Sequence, residues 1–520
     1  MTKSSGTILD GGSRPEGRGA GTGPRTGAEP LYLDYAATTP VDPAVAEAMS
    51  RCLAEPDGLG NASSSTHIFG RRVAGRIERA RAQVAALIGA APEEIVFTSG
   101  ATESDNLAVL GAARANAHRG RHIVSSRIEH KAVLDPLKRL EKEGFTVTLL
   151  APDRSGRIDP VAVAAALRPD TVLASIMLVN NEIGVIQDIA AIGVLCRARG
   201  VLFHTDAAQA VGKIPLDVHA LPLDLMSITA HKFYGPKGVG ALYVAGAARP
   251  HLQPIVFGGG QERGLRPGTL ATHQIVGLGV ACDLARLGLT AEHSRLAGLR
   301  ARLWQALASL DGVHANGEGA PTVPGILNVS FEGVEGESLI AGLPELAIST
   351  GSACNSASAE PSYVLRALGR DTQLAQSSLR LSFGRFSLPE HVDRAADAIR
   401  REVVRLRGLS PASEPREASS PSQVIGEGGG PGQEAWVRFK LGIQAGLVKS
   451  VLFKAYGCPH TLAVAAWVAE RLRGRGRVDL PPGTPAEWAE TLAVPIEKLG
   501  RLLVVEDALA DCARHWPEQG

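Results

Sequence analysis

The chain has 520 residues, 44% hydrophobic and 21% charged, a size and composition that suit a globular protein of about two to four domains. A net charge of +1 excludes the broad basic field that non-specific nucleic-acid or anionic-membrane binding needs. No apolar run approaches the ~18 residues expected of a membrane span. Six cysteines without CxxC spacing exclude a zinc ribbon or disulfide framework and suit a reducing cytoplasm.

In chain order, residues 1–30 are rich in Gly, Ser, Thr and Arg, which predicts a disordered segment without the apolar core of a secretory signal. From 31 to 407, short β-rich apolar runs alternate with helical patterns, predicting an α/β protein around a mainly parallel sheet. Residues 408–434 are rich in Pro, Ser and Gly and read as a flexible linker. Residues 435–520 read as a second, smaller α+β domain. Within it, VRFKLGI and SVLFKAY alternate as paired strands, and Thr484 with Glu487 forms a capping box opening a helix.

Five apolar runs in the first half each end in a polar cluster. EEIVFTSG leads into Ala101 and Thr102, and RHIVSSRIEH ends at His130. TVLASIMLVNNEIG carries Asn180 and Asn181, GVLFHTDAAQA carries Asp206 and Gln209, and DLMSITAHK ends at Thr229, His231 and Lys232. Open parallel sheets bind ligands beyond the carboxyl ends of their strands, so five clusters at five such ends predict one convergent site. Each cluster alone has a plain structural reading as a turn, a cap or a hydrogen-bonded histidine. Their joint occurrence, in this order, suits pyridoxal phosphate: Lys232 for its Schiff base, Asp206 for its ring nitrogen, and the turn into the helix after SGAT for its phosphate, with Thr269 assisting. No metal site is expected. Cys354 stands apart from the other cysteines, in a run of Gly, Ser, Ala, Thr and Asn where a core thiol has nothing to pack against. That setting predicts a nucleophile.

Residues 31–407 resemble the pyridoxal-phosphate-dependent cysteine desulfurases of iron–sulfur cluster assembly. The resemblance runs through YLDYAATTPVDP, FTSGATESDN, VNNEIGVIQD, HTDAAQAVGK, HKFYGPKGVGALY, GGGQERGLRPGTL and STGSACNSASAEPSYVLRALG. It implies a fold-type-I aminotransferase architecture, a large domain plus a small one, and a homodimer. It also implies roles. Lys232 would hold the cofactor and move the substrate Cα proton, and His130 would stack on the ring. Asp206 and Gln209 would pair with the ring nitrogen and hydroxyl. Ala101, Thr102, Thr229, His231 and the partner subunit's Thr269 would hold the phosphate. Asn181 and Arg380 would fix the carboxylate of L-cysteine, and Cys354 would receive the sulfur as a persulfide for a protein acceptor. A selenocysteine lyase or an aminotransferase of the same fold is the alternative; the cysteine loop disfavours a transaminase.

Residues 436–520 resemble, more weakly, the U-type iron–sulfur scaffold family, through WVRFKLGI, YGCPHTLAVAAWVAERL and EKLGRLLVVEDAL. Of the three cysteines, aspartate and histidine of that family only Cys458 remains. Gln433 and Ala435 stand near the first cysteine and the aspartate, and Gly500 and Arg501 where the histidine and third cysteine belong. One thiolate cannot hold a cluster. Cys458 precedes Pro459 at a predicted helix N-cap, which lowers a thiol pKa and makes it a candidate sulfur relay. The alternative is a degenerate docking module.

Overall fold

The structure is a computed structural model, and it describes residues 29–54, 58–350, 361–408, 423–430 and 435–517. Short strand β1 (Leu31–Tyr32) and helices α1 (Pro43–Ala54) and α2 (Ile68–Ile88) lead into a seven-stranded sheet. Its strands are β2 (Ile95–Thr98), β3 (His122–Ser126), β4 (Thr146–Leu150), β5 (Thr171–Ser175), β6 (Leu202–Asp206), β7 (Leu225–Thr229) and β8 (Gly240–Val244). Their spatial order is β2-β8-β7-β6-β5-β3-β4, and only β8 runs against the rest. Helices α3 (Ala101–Ala115), α4 (Lys131–Lys142), α5 (Pro160–Ala166) and α6 (Ile189–Ala198) connect the strands.

The strands are apolar on both faces because both are covered. Phe97, Val124, Phe203 and Met226 enter one core, while Val96, Ile123, Leu202 and Leu225 meet Leu107 and Ala112 of α3 in the other. The five runs that end in polar clusters are β2, β3, β5, β6 and β7, so their carboxyl ends share one rim, as the α/β reading requires.

Helix α7 (Thr272–Leu307) leaves the large sheet for a second layer. It contains an 18-residue window of mean hydropathy 1.3, apolar enough for a membrane span, which corrects the sequence reading that no such run exists. Here Ile275, Leu278, Ala281 and Ala285 are buried and the helix lies against α1 and α2, so its apolarity serves a protein core. The second layer holds β9 (Val313–Ala315), β10 (Ile326–Phe331), α8 (Gly336–Ala341), β11 (Leu346–Ala347), α9 (Tyr363–Ala367), α10 (Thr372–Gln376), β12 (Ser378–Ser382) and α11 (Pro389–Arg407). Leu31 and Leu33 join Phe331, Leu379 and Ile399 in its core, tying the start of the ordered chain to this layer.

The remaining module is a meander of β13 (Gln423–Gly430), β14 (Ala435–Gln444) and β15 (Leu447–Tyr456), backed by α12 (Pro459–Arg471), α13 (Pro485–Thr491) and α14 (Leu499–Arg514). Trp488, Phe439, Val505 and Leu509 fill its core. Strand β13 corrects the reading of 408–434 as linker throughout. Its glycines reflect close packing: a Cβ on Gly426 would stand 2.3 Å from Ala508 O, and one on Gly428 2.1 Å from Val504 O, both on α14. The Thr484 capping box forms as expected, with Glu487 Oε2 accepting from Thr484 N at 2.8 Å.

Candidate active site

A cavity of about 600 Å³ opens at the shared rim of the large sheet, within the range of small-molecule sites. Ala101, Thr102, His130, Asn181, Asp206, Gln209, Thr229, His231, Lys232 and Arg380 all line it. Nine of these residues come from the five strand-end clusters and converge as that pattern predicts, and Arg380, which the family resemblance implies, joins them from the second layer. Asn180 is adjacent but does a local task, its Oδ1 accepting from Glu182 N and Ile183 N to shape the turn. Thr269 lies elsewhere in the chain's own structure, in a groove with Leu59, Leu270 and His273. Cys354 lies outside the described residues.

At one end, β2 breaks at Gly100, whose φ of +144° suits glycine, and α3 starts at Ala101. The first N–H groups of a helix have no intrahelical acceptor, so this end of the cavity offers donors to an anion. Thr102, Thr229 and His231 stand with them. Burial, then the nearby Lys232, Lys237 and Lys213, push the His231 imidazole down to about 4, so it is neutral at physiological pH. Its Nδ1 is 3.2 Å from Thr38 Oγ1.

On the opposite side Asp206 ends β6, and its Oδ1 accepts from Ala208 N at 2.9 Å. Burial raises this carboxyl, while that N–H, His130 and Lys232 oppose the rise. Lys232 follows β7 on a tight turn, and Nζ donates to the carbonyls of Ala36 and Ala37 at 2.6 and 2.7 Å. Gln209 is held from both ends, donating to Ala36 O at 2.8 Å and accepting from Lys213 Nζ at 2.5 Å. Burial drives Lys213 down to about 7, and Lys232 and Arg380 add to it. His130 opens α4, with Nδ1 accepting from Ala132 N.

Arg380 points in from β12, donating to the Asn181 carbonyl at 3.0 Å and to Asp34 Oδ1 at 2.8 Å. Its Nε and the Asn181 Oδ1 are buried without a hydrogen-bond partner. Unsatisfied buried polar atoms are costly, and both residues line a cavity that a ligand can fill. A carboxylate suits Arg380. The chain's residues thus fit pyridoxal phosphate and an amino acid together: an amine, an acid for the ring nitrogen, helix-end donors for a phosphate and a guanidinium for a carboxylate. When bound, the cofactor supplies an electron sink for charge developing at the substrate Cα.

Sequence reasoning missed several members. Ala36 and Ala37 contribute only carbonyls, which no residue type advertises. Asp34, Asp105, Glu129 and Lys213 act from behind the lining. Glu129 and Asp105 are wholly buried near Asp206. Burial pushes Glu129 up to about 8, against hydrogen bonds from Ser126 and Met177 N.

This is the site of a fold-type-I pyridoxal-phosphate enzyme. The model of the family Aminotransferase class-V matches residues 31–395. Cysteine desulfurase IscS of Pectobacterium atrosepticum is 56% identical over 382 residues, covering 74% of this chain and 95% of that protein; IscS of Azotobacter vinelandii is 57% identical over the same shares. Among solved structures, a NifS-like protein superposes with a TM-score of 0.66 at 35% identity, over 72% of this chain and 99% of that one. SspA in complex with cysteine superposes at 0.62 with 39% identity, over 69% and 100%. DndA from Streptomyces lividans superposes at 0.58 with 43% identity, over 68% and 99%. The chain belongs to the class-V aminotransferases and, within them, to the cysteine desulfurases, which convert L-cysteine to L-alanine and pass its sulfur on as a persulfide.

Proposed function

We propose that Cys354 receives the sulfur and that the residues of the cavity divide the remaining work. Arg380 and Asn181 grip the cysteine carboxylate. Lys232 Nζ holds the cofactor and carries the Cα proton. Asp206 and Gln209 hold the ring, His130 stacks on it, and Ala101, Thr102, Thr229 and His231 hold its phosphate. The Cys354 thiolate attacks the substrate sulfur; the new S–S bond forms as the C–S bond breaks, its electron pair stays with the substrate Cβ, and that carbon takes up a proton before alanine leaves.

The observation that carries this reading is that described residues on either side of 351–360 bond to Arg380, which lines the cavity, and to Glu129, the neighbour of cavity-lining His130. Arg380 N donates to Ser349 O at 2.7 Å before the segment. Tyr363 Oη donates to the carbonyl of Glu129 at 2.7 Å after it, next to His130.

A homodimer with the partner subunit's Thr269 at the phosphate, a cytoplasmic setting and a protein acceptor of iron–sulfur assembly complete the proposal. The C-terminal module is a degenerate scaffold-like domain that docks rather than holds a cluster, since Cys458 alone remains of that family's ligand residues. Mass-spectrometric mapping of persulfides after brief exposure to L-cysteine tests the central step. Persulfide on Cys354, and loss of alanine formation in Cys354→Ser, is the expected result. No persulfide there in cofactor-loaded protein overturns it.

A further inference from the structure

Cys458 occupies the N-cap of α12, as its place before Pro459 predicts, yet its side chain makes no cap hydrogen bond and is fully buried. A sulfur relay needs an accessible thiol, and two groups of residues deny it one. Inside the module, Thr461 Oγ1 lies 3.4 Å from Cys458 Sγ. Arg501 stands close to this thiol, and that proximity raises its guanidinium against the opposing effect of burial.

The second group comes from the catalytic body. Ser338 Oγ on α8 donates to the carbonyl of Gly457, the residue just before Cys458. Lys498 Nζ pairs with Glu337, and Arg501 Nη1 lies 3.6 Å from Glu335 Oε1 with both side chains largely buried. The charges are complementary in a way neither partner explains alone. Lys498 and Arg501 sit at the N-cap and in the first turn of α14, where the helix dipole disfavours cations. Their placement makes sense against the two acids at the start of α8. Glu335 serves twice, since it also caps α8 by accepting from Ser338 N at 2.7 Å.

We infer that the Cys458 edge of the C-terminal module is a docking surface for α8 of the same chain, closed by the Lys498–Glu337 and Arg501–Glu335 pairs, and that this clasp is what shuts off the Cys458 thiol. Arg501 and Lys498 make this edge a cationic surface that suits the acidic side chains of α8. Because the module and α8 belong to one chain, the module stays at high local concentration beside α8, so docking is the resting state and release is local. This conclusion stands on the contacts and is independent of whether Cys354 carries sulfur.

Alkylation of the full-length, cofactor-loaded protein with iodoacetamide, mapped by peptide mass spectrometry, tests it. Cys512 supplies the control, being fully buried in the module's own core rather than at the clasp. In the parent protein at low salt both thiols are expected to react slowly. In Glu335→Gln/Glu337→Gln, and independently in Lys498→Gln/Arg501→Gln, Cys458 is expected to react at least about tenfold faster while Cys512 stays protected. High salt should move the parent protein in the same direction. A Cys458 that reacts freely in the parent, or stays equally slow in both double variants, overturns the clasp. So does a joint rise at Cys458 and Cys512, which would show that the module's own fold guards the thiol.

Discussion

His204 Nε2 stands 3.6 Å from Asp105 Oδ1, and neither side chain reaches solvent. His204 lies two residues before Asp206 on β6, so both project toward the face covered by α3, which carries Asp105. Burial drives the imidazole down to about 3, so it brings no charge to answer a carboxylate. Burial, and then Asp206, push Asp105 well above the usual carboxylate range, and neither of its oxygens meets a donor in hydrogen-bond geometry. Burial and the neighbouring Asp206 thus favour the protonated form of Asp105.

Asp105→Asn mimics that protonated acid and is expected to stabilise the fold. A carboxyl whose folded value is raised contributes stability below its unfolded value of 3.8 and loses it as pH rises through the folded one. The variant's advantage should thus widen as pH rises from 5 to 8, in urea unfolding. An advantage that shrinks with pH would place the charge on Asp105.

Arg380 is aimed by Asp34, which accepts from Nη2 at 2.8 Å. Asp34→Asn is expected to raise the KM for L-cysteine about 3–10-fold with kcat little changed, the signature of weakened ground-state binding. Arg380→Lys, which loses the planar fork, should cost more. Steady-state alanine formation separates the two constants.

Lys232→Ala should abolish borohydride-fixable attachment of the cofactor, read as the loss of a mass increment on the peptide containing residue 232. Alanine formation should fall about 10²–10⁴-fold. Attachment that persists at another lysine would remove Lys232 from its assigned role.

Arg81 is buried on α2 and paired in fork geometry with Glu262 at 2.8 Å on both arms, while Phe97 N donates to the same carboxylate at 2.7 Å. Glu262 holds this place with a φ of +47°. Glu262→Ala strands a buried guanidinium and should cost about 3–5 kcal/mol, seen as a lower Tm; Glu262→Gln, which keeps the shape, should cost less.

Gly428→Val forces a side chain into the backbone of α14, where even a Cβ would stand 2.1 Å from Val504 O. The module should unfold, making Cys512 alkylatable, while alanine formation by the catalytic body continues. Activity lost along with the module would show that the catalytic body depends on it.

The strand-end clusters, the β14–β15 pair and the Thr484 capping box were legible because each is a local pattern: alternation, a residue type at a strand terminus, a Ser/Thr and Glu three apart. Glycine-rich 423–430 was misread because low side-chain mass signals a loose chain and a tightly packed strand alike; only α14 lying on Gly426 and Gly428 tells them apart. Helix α7 shows the same ambiguity for apolar length. What the amino-acid order alone determined is the chemistry available at the rim: Lys232, Asp206 and the start of α3, set by strand periodicity and the chain direction of a parallel sheet. Tertiary structure decided the rest. It set Asp34 behind Arg380, the carbonyls of Ala36 and Ala37 around Lys232, and the acids of α8 against Lys498 and Arg501. These contacts join residues far apart in the chain, and charge, burial and backbone direction acquire meaning only once folding brings them within a few ångströms.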